Sequence, residues 1–271
     1  MNPPTVIAVN NHKGGVAKTT TCLSLGACLA ELGQTVLLVD LDPQAHLTLS
    51  LGIEPDSLRR TVGDSLLGSG TLTGISRETP VLGLDIAPAN RELALIDKLL
   101  YSRPGYEQQL RRQLQAIPAA SYDLILLDCS PAMNTLTLNA ITAADLLLIP
   151  AQAEYYAARS LRQVVRLVAL VRRKTNPTLD FRFLVTMYDR RNKVSRLLLA
   201  QMQRDLQPRL FETVIGIDTK LRESPAFAQP ITQYAPKTRA AQQYRALAKE
   251  LMTYVRQKSA RPARGAVLRA G

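Results

Sequence analysis

The sequence predicts an α/β fold: a doubly wound, mostly parallel sheet flanked by helices. Three observations predict it. Short β-branched and leucine-rich runs recur that are apolar on both faces, as strands covered by two helical layers must be. Helical patterns alternate with those runs, which implies parallel βα units. The first run leads directly into a glycine loop and then a helix.

Residues 5–10 (TVIAVN) read as the first strand, an apolar run ending in polar residues. HKGGVAKTT follows, then residues 21–32, rich in Ala, Leu and Cys and stopped by Gly33 as a helix is. Residues 35–40 (TVLLVD) are the second strand. Residues 43–80 are Gly- and Thr-rich and less periodic, and read as a short helix plus surface loops. Further strands are expected at 122–128 (YDLILLD), 145–150 (DLLLIP) and 182–187 (RFLVTM). Helical patterns cover 107–116, 155–173 and 195–206. No internal repeat or domain boundary interrupts residues 1–257, which read as one domain. The basic tail at 258–271 carries Pro262 and Gly265 and is expected to be disordered.

With 271 residues, 46% of them hydrophobic, the chain can bury a substantial core. No apolar run approaches the length that crosses a bilayer. The opening residues lack the basic and apolar regions of a secretory signal. Cys22, Cys28 and Cys129 show no metal-ligand spacing, and a reduced cytoplasmic protein is expected. Cys22 and Cys28 lie six apart on a helix and read as core fillers. Charge is unevenly placed. Residues 1–150 hold 10 Lys and Arg against 14 Asp and Glu; residues 151–271 hold 24 against 8. The net of +16 in the second part points to a polyanion partner, most simply nucleic acid.

Lys13-Gly14-Gly15-Val16-Ala17-Lys18-Thr19-Thr20 follows a strand and opens a helix, the context a phosphate loop requires. Glycines let backbone N–H groups turn inward around phosphate oxygens, and the helix start adds partial positive charge. Lys18 is expected to reach the β- and γ-phosphates of a nucleotide, and the Thr19 hydroxyl to ligate Mg²⁺. His12 and Ala17 stand where the usual G-x-x-x-x-G-K-[ST] loop has its glycines. Ala17 is tolerable there with a negative φ. Asp40 and Asp42 follow the second strand, whose end faces the crevice in such sheets. A carboxylate there can orient an attacking water or hold a metal-bound one. Asp128 closes an apolar strand, the arrangement that places a carboxylate on Mg²⁺ through water; burying that charge without a cation is unfavourable.

The pattern Lys-Gly-Gly-Val-x-Lys-Thr-Thr resembles the deviant Walker A loop of the ParA/MinD ATPases. VDLDPQ at 39–44, LTLNA at 136–140, IPAQAEYYA at 149–157, LVTMYD at 184–189 and QQYRALAKEL at 242–251 resemble the ParA/Soj branch. The likeness spans roughly residues 5–255, weakest over 50–120. It implies an ATPase, weak alone, that uses ATP and Mg²⁺ for chromosome or plasmid partition. Lys13 would reach a partner protomer's phosphates, Asp42 would act in hydrolysis, Asp40 would support the metal shell, and Met187 would touch the nucleotide. The ATP-bound homodimer would bind double-stranded DNA without sequence preference, and a ParB-type centromere-binding partner would stimulate hydrolysis. The protein would be cytoplasmic and nucleoid-associated.

Arg190, Arg191, Lys193, Lys220, Arg222, Lys237, Arg239, Arg245 and Lys249 are the candidate DNA contacts, acting by phosphate neutralisation. Arg191 and Lys220 align best with the family's basic positions. The sequence departs at Ser130, where the family has Pro, and at 216–225 (GIDTKLRESP), where the family reads like PRNVRLSEAP. Two neighbouring roles stay open. A positioning ATPase for a protein compartment or receptor cluster has the same chain features. A MinD-like membrane regulator would need an amphipathic C-terminal helix, which Pro262 and Gly265 oppose. A cluster-binding relative would need more cysteine ligands than Cys129.

Overall fold

The computed structural model describes residues 3–153 and 157–259. The chain runs β1 (Thr5–Val9), α1 (Lys18–Glu31), β2 (Val36–Leu41), α2 (His46–Leu49), α3 (Val62–Leu67), α4 (Leu72–Ile75), β3 (Arg77–Glu78), β4 (Leu84–Ala87), α5 (Leu93–Tyr101) and α6 (Gln109–Gln115). It continues with β5 (Leu124–Cys129), α7 (Thr135–Ala143), β6 (Leu146–Gln152), α8 (Ala157–Lys174), β7 (Asp180–Tyr188) and α9 (Lys193–Leu206). β8 (Leu210–Gly216), α10 (Thr219–Glu223), α11 (Ile231–Tyr234) and α12 (Arg239–Ser259) complete it. The strands form one sheet in the order β3-β4-β2-β5-β1-β6-β7-β8. Every neighbouring pair is parallel except β3 with β4.

The two-residue period of a strand sorts its side chains between two cores. Leu37 and Val39 of β2 and Ile125 and Leu127 of β5 face one core, beneath α3, α5, α7 and α8. Leu38 of β2 and Leu124 and Leu126 of β5 face the other, beneath α1 and α12. Both faces of the central strands are therefore covered, which is why their sequences are apolar throughout. Gly26 sits mid-helix in α1 because the helix lies close on β2; a Cβ there would come within 2.8 Å of Leu38 Cδ2. Cys22 and Cys28 are buried on α1, as core residues. α12 is fixed to α1 by a buried Tyr244–Thr21 hydroxyl pair at 3.1 Å and by the two-pronged Arg245–Glu31 ion pair at 2.7 and 3.0 Å.

The expected strands and helices are all present, with ends moved by a few residues. The region read as one short helix plus loops holds α2, α3, α4 and β3. β4 and β8 were not expected, and both have polar residues inside the strand. In β4, Asp85 accepts from the Tyr122 hydroxyl at 2.8 Å. In edge strand β8, the amides of Glu212 and Thr213 donate to the Glu250 carboxylate at 2.7 and 3.1 Å. Lys258 and Ser259, the first two residues of the expected tail, lie in the last turn of α12. Lys258 Nζ donates to the Asp145 carbonyl at 2.7 Å. Residues 260–271 lie outside the described residues, as does the expected helix start at 155–156.

Candidate nucleotide site

Sheet register brings the candidate site together. Asp128 pairs in register with Val9 of β1 on one side and with Asp40 of β2 on the other. The loop after β1 and the acids ending β2 and β5 thus share one edge of the sheet, where the crevice of a doubly wound fold opens.

Side chains from three strand ends hold that loop. Asn10 Nδ2 donates to the Ser130 carbonyl at 3.1 Å, and Asn11 Nδ2 to the Pro150 carbonyl at 2.7 Å. Asn11 Oδ1 accepts from the Lys13 amide at 3.0 Å. Gln152 Nε2 donates to the Gly15 carbonyl at 3.2 Å, and Thr186 Oγ1 to the Val16 carbonyl at 3.0 Å. Sequence reasoning did not single out Asn10, Asn11, Gln152 or Thr186. Their signal was slight: paired asparagines directly after an apolar strand.

Gly15 adopts φ +72°. Ala17 corrects an expectation, because its φ is +64° and not negative. The chain makes a second left-handed turn there so that the Ala17 carbonyl can accept the Thr21 amide at 2.9 Å, an early hydrogen bond of α1. A methyl in that conformation costs on the order of 1 kcal/mol relative to glycine. Above Gly14 and Gly15 the groove is open; a Cβ on either would meet nothing within 4 Å.

Lys18 is buried, and its Nζ folds back to donate to the Lys13 carbonyl at 3.2 Å. Burial lowers its pKa, opposed by the negative charge of Asp128. Lys13 is exposed and donates from Nζ to Gln152 Oε1 at 3.3 Å.

The three acids have different surroundings. Asp128 is 1% exposed, and neither carboxylate oxygen has a hydrogen-bond partner among the described residues. Burial pushes its pKa well above the carboxylate range and Asp40 adds to the shift; Thr19 and Lys18 pull the other way. Asp40, fully buried, has both oxygens occupied: Oδ1 accepts from the Asp42 amide at 3.1 Å, and Oδ2 from the Thr48 amide and hydroxyl at 2.9 and 2.7 Å. Burial raises its pKa to about 6 against those hydrogen bonds. That is the arrangement of a carboxylate that positions the Asp42 loop. Asp42 is half-buried and accepts from the Gln44 amide at 3.0 Å.

An unpartnered, buried carboxylate beside a threonine hydroxyl fits a hard divalent cation. Among the described residues no group of three or more His, Cys, Asp or Glu could hold a metal ion. A cation here would therefore rest on Asp128 and Thr19, with phosphate oxygens and water completing its shell.

Beside the loop lies a cleft of about 340 Å³ lined by Gly15, Ala17, Thr20, Met187, Ile215, Ile217, Leu221 and Pro225. Its volume and apolar walls suit a nucleoside. Met187 holds a left-handed φ of +52°, and its Sδ accepts from Gln152 Nε2 at 2.8 Å. Of the lining residues beyond the loop, only Met187 was expected at the nucleotide. The wall from β8 and α10 carries no local motif that marks it in the sequence.

The basic candidates separate into groups. Arg190, Arg191 and Arg239 line a second cleft of about 400 Å³ with Tyr188, Asp189 and Thr219. Arg191, 84% exposed, grips Asp189 with Nε at 3.1 Å and Nη2 at 3.2 Å. Lys193 is exposed at the start of α9. Lys220 pairs with Glu223 at 2.7 Å and lies over the Tyr234 ring. Lys237 and Lys249 are exposed. Arg222 lines the 340 Å³ cleft beside the loop, and Arg245 is occupied by Glu31 and the Pro236 carbonyl.

The pattern of a family described as an AAA domain matches residues 4–181. The sporulation initiation inhibitor protein Soj of Bacillus subtilis is 40% identical over 91% of this chain and 97% of its own. The chromosome partitioning protein ParA of Caulobacter vibrioides is 37% identical over 97% of this chain and 99% of its own. Among solved structures, one from Mycobacterium smegmatis, described as cobyrinic acid a,c-diamide synthase with bound ATP analog and magnesium, superposes with a TM-score of 0.82. It is 36% identical and covers 94% of this chain and 97% of that one. With a phosphate loop, paired strand-end acids and full-length likeness of this degree, the chain belongs to the ParA/Soj-type partition ATPase family.

Proposed function

We propose that this protein binds ATP with Mg²⁺ and hydrolyses it to drive DNA partition. The carrying observation is Asp128, whose buried carboxylate has no hydrogen-bond partner among the described residues, in the charge field of Lys18 at the mouth of the loop. Such a group calls for a cation, and a triphosphate on the loop would bring one. Lys18 neutralises charge on the β- and γ-phosphates, and the amides of residues 14–19 hold their oxygens. Asp128 and Thr19 would hold Mg²⁺, which when bound supplies charge neutralisation at the phosphates. Asp40 fixes the loop that carries Asp42, and Asp42 orients the attacking water. Lys13, exposed at the rim, extends to the phosphates of a second protomer in the ATP-bound dimer.

The dimer binds double-stranded DNA without sequence preference through Arg190, Arg191, Lys193, Lys220 and Arg239, and a ParB-type partner accelerates hydrolysis. The Caulobacter relative named for chromosome partitioning, matched along nearly its whole length, supports this reading over the diamide synthase named for the mycobacterial structure. No helix among the described residues is long and apolar enough to cross a membrane.

Sedimentation and DNA binding, measured with ADP, ATP and a nonhydrolysable analogue across a salt series, test the reading. Dimerisation and salt-sensitive DNA binding with ATP alone are expected. Equal DNA affinity in all nucleotide states would overturn it.

A further inference from the structure

Among the described residues, four buried side-chain atoms lack a hydrogen-bond partner: both carboxylate oxygens of Asp128, Ser130 Oγ and Arg182 Nε. Arg182 lies over the rings of Phe211 and Tyr254, which engage its charge. Asp128 is assigned to the cation. The Ser130 hydroxyl has no such role, although leaving a buried hydroxyl unsatisfied is costly. Ser130 is 5% exposed. It is also where the chain departs from the pattern its loops resemble, in which proline brings no side-chain donor.

Strand geometry gives the direction of that hydroxyl. Ile125, Leu127 and Cys129 face the core beneath α3, α5, α7 and α8, whereas Leu124 and Leu126 face the side of α1. The same alternation carries Asp128 and Ser130 to the side of α1, the helix that the phosphate loop opens. Register gives its height. Leu41 of β2 pairs with Cys129, so one residue further on Ser130 stands level with Asp42. On the other flank, the Ser130 carbonyl accepts from Asn10 Nδ2 at 3.1 Å, which fastens the residue to the start of the loop. Ser130 is thus held between the loop that grips phosphates and the acid that orients the attacking water. A terminal phosphate must lie between those two.

We propose that the Ser130 hydroxyl binds the terminal phosphate of ATP, donating to a γ-phosphate oxygen. In the nucleotide-free protein this hydroxyl has no partner among the described residues, so turning about χ1 to meet the phosphate breaks no bond. ADP has no group at that place and leaves the hydroxyl as it was. Ser130 therefore sets a preference for triphosphate over diphosphate. The inference rests on the nucleotide reading above, but it needs neither DNA nor a dimer.

The test is calorimetric affinity for ADP and for a nonhydrolysable ATP analogue, each with Mg²⁺, in the unaltered protein and in Ser130→Ala. The variant is expected to bind the analogue about tenfold more weakly, the scale of one hydrogen bond to a charged acceptor, and ADP within about twofold of the parent. The same loss is expected in a Lys13→Ala background, which should stay monomeric with ATP. Urea unfolding without nucleotide should find Ser130→Ala no less stable than the parent, because the hydroxyl bonds nothing there. An equal change for analogue and ADP overturns the proposal, as does unchanged affinity for both, or a loss that vanishes in the Lys13→Ala background. A less stable nucleotide-free Ser130→Ala also overturns it, by giving the hydroxyl a partner inside the protein. If the unaltered protein bound neither nucleotide, the nucleotide reading itself would fall, and this inference with it.

Discussion

Asp40 and Asp128 are register partners on adjacent strands, yet among the described residues Asp40 has hydrogen-bond partners and Asp128 has none. Burial raises the pKa of both carboxyls; the neighbouring Asp40 raises Asp128 further, and Asp42 raises Asp40. The site therefore stores electrostatic strain that a bound cation would relieve.

That strain has a pH signature. In the unfolded chain both acids ionise near pH ~4. In the fold, Asp40 keeps its proton up to about pH 6, and Asp128 is shifted in the same direction. Between those limits the folded state binds more protons than the unfolded state, so stability falls as pH rises. The fall from Asp40 is on the order of 2–3 kcal/mol and is complete above its folded pKa. Urea unfolding without nucleotide, from pH 4 to 7.5, measures it by comparison with Asp128→Asn. The variant should show a shallower decline and greater stability at neutral pH, with weaker Mg²⁺-dependent nucleotide binding. A variant less stable than the parent at neutral pH would remove the strain argument.

Lys18 and Lys13 should separate binding from assembly. Lys18→Ala deletes a buried ammonium from the loop, and nucleotide affinity is expected to fall about 100-fold, the equivalent of ~3 kcal/mol for a charge-assisted contact. Lys13→Ala leaves the loop amides and Lys18 in place. It should bind nucleotide within about threefold of the parent, well under 1 kcal/mol, but sediment as a monomer with ATP. Calorimetric titration with ATP checks the first expectation and sedimentation the second. Normal ATP affinity in Lys18→Ala would displace the phosphate site from this loop.

How much of this was legible in the sequence follows from where each residue gets its instructions. The loop at 13–20 could be read because its function depends on local order: strand, turn, lysine, helix. Asp128 could be read because a charge at the end of an apolar strand is a conflict that needs a reason. Ala17 was misread because a short side chain says nothing about the sign of φ; the loop's geometry sets it. The nucleoside wall was missed because Ile215, Ile217 and Leu221 meet Gly15 only through sheet order, about which the sequence of β8 is silent. Asp40 could be located but its duty could not, since that depends on Thr48 lying eight residues further along the chain.

Asp42 should affect turnover alone. Its backbone is anchored to Asp40 and its side chain to the Gln44 amide, so Asp42→Ala leaves the phosphate loop unaltered. ATP binding and dimerisation are expected to persist while kcat falls by about 10²-fold, the scale of a lost general base or water-orienting group. A steady-state assay with a partner protein present gives the fullest range. Parental turnover in the variant would reassign the catalytic role.

Arg245 and the pair Arg190 with Arg191 separate charge that supports the fold from charge that meets a ligand. All three were candidates by sequence. Arg245 is held by both oxygens of Glu31 and by the Pro236 carbonyl, so its donors are taken up between α12 and α1. Arg190 is exposed, and Arg191 reaches solvent even while paired with Asp189. Arg245→Ala should therefore lower stability by under about 1 kcal/mol, as partly exposed ion pairs do, and leave DNA affinity unchanged. Replacing Arg190 and Arg191 together by Ala should weaken DNA binding at every sequence tested and reduce the dependence of log affinity on log salt by up to about 2, close to one per lost phosphate contact. Stability should stay within about 0.5 kcal/mol of the parent. DNA affinity measured across a salt series, alongside urea unfolding of the same proteins, separates the two cases. A steeper loss of DNA binding in Arg245→Ala than in the double variant would place the DNA face along α12 instead of at the basic cleft.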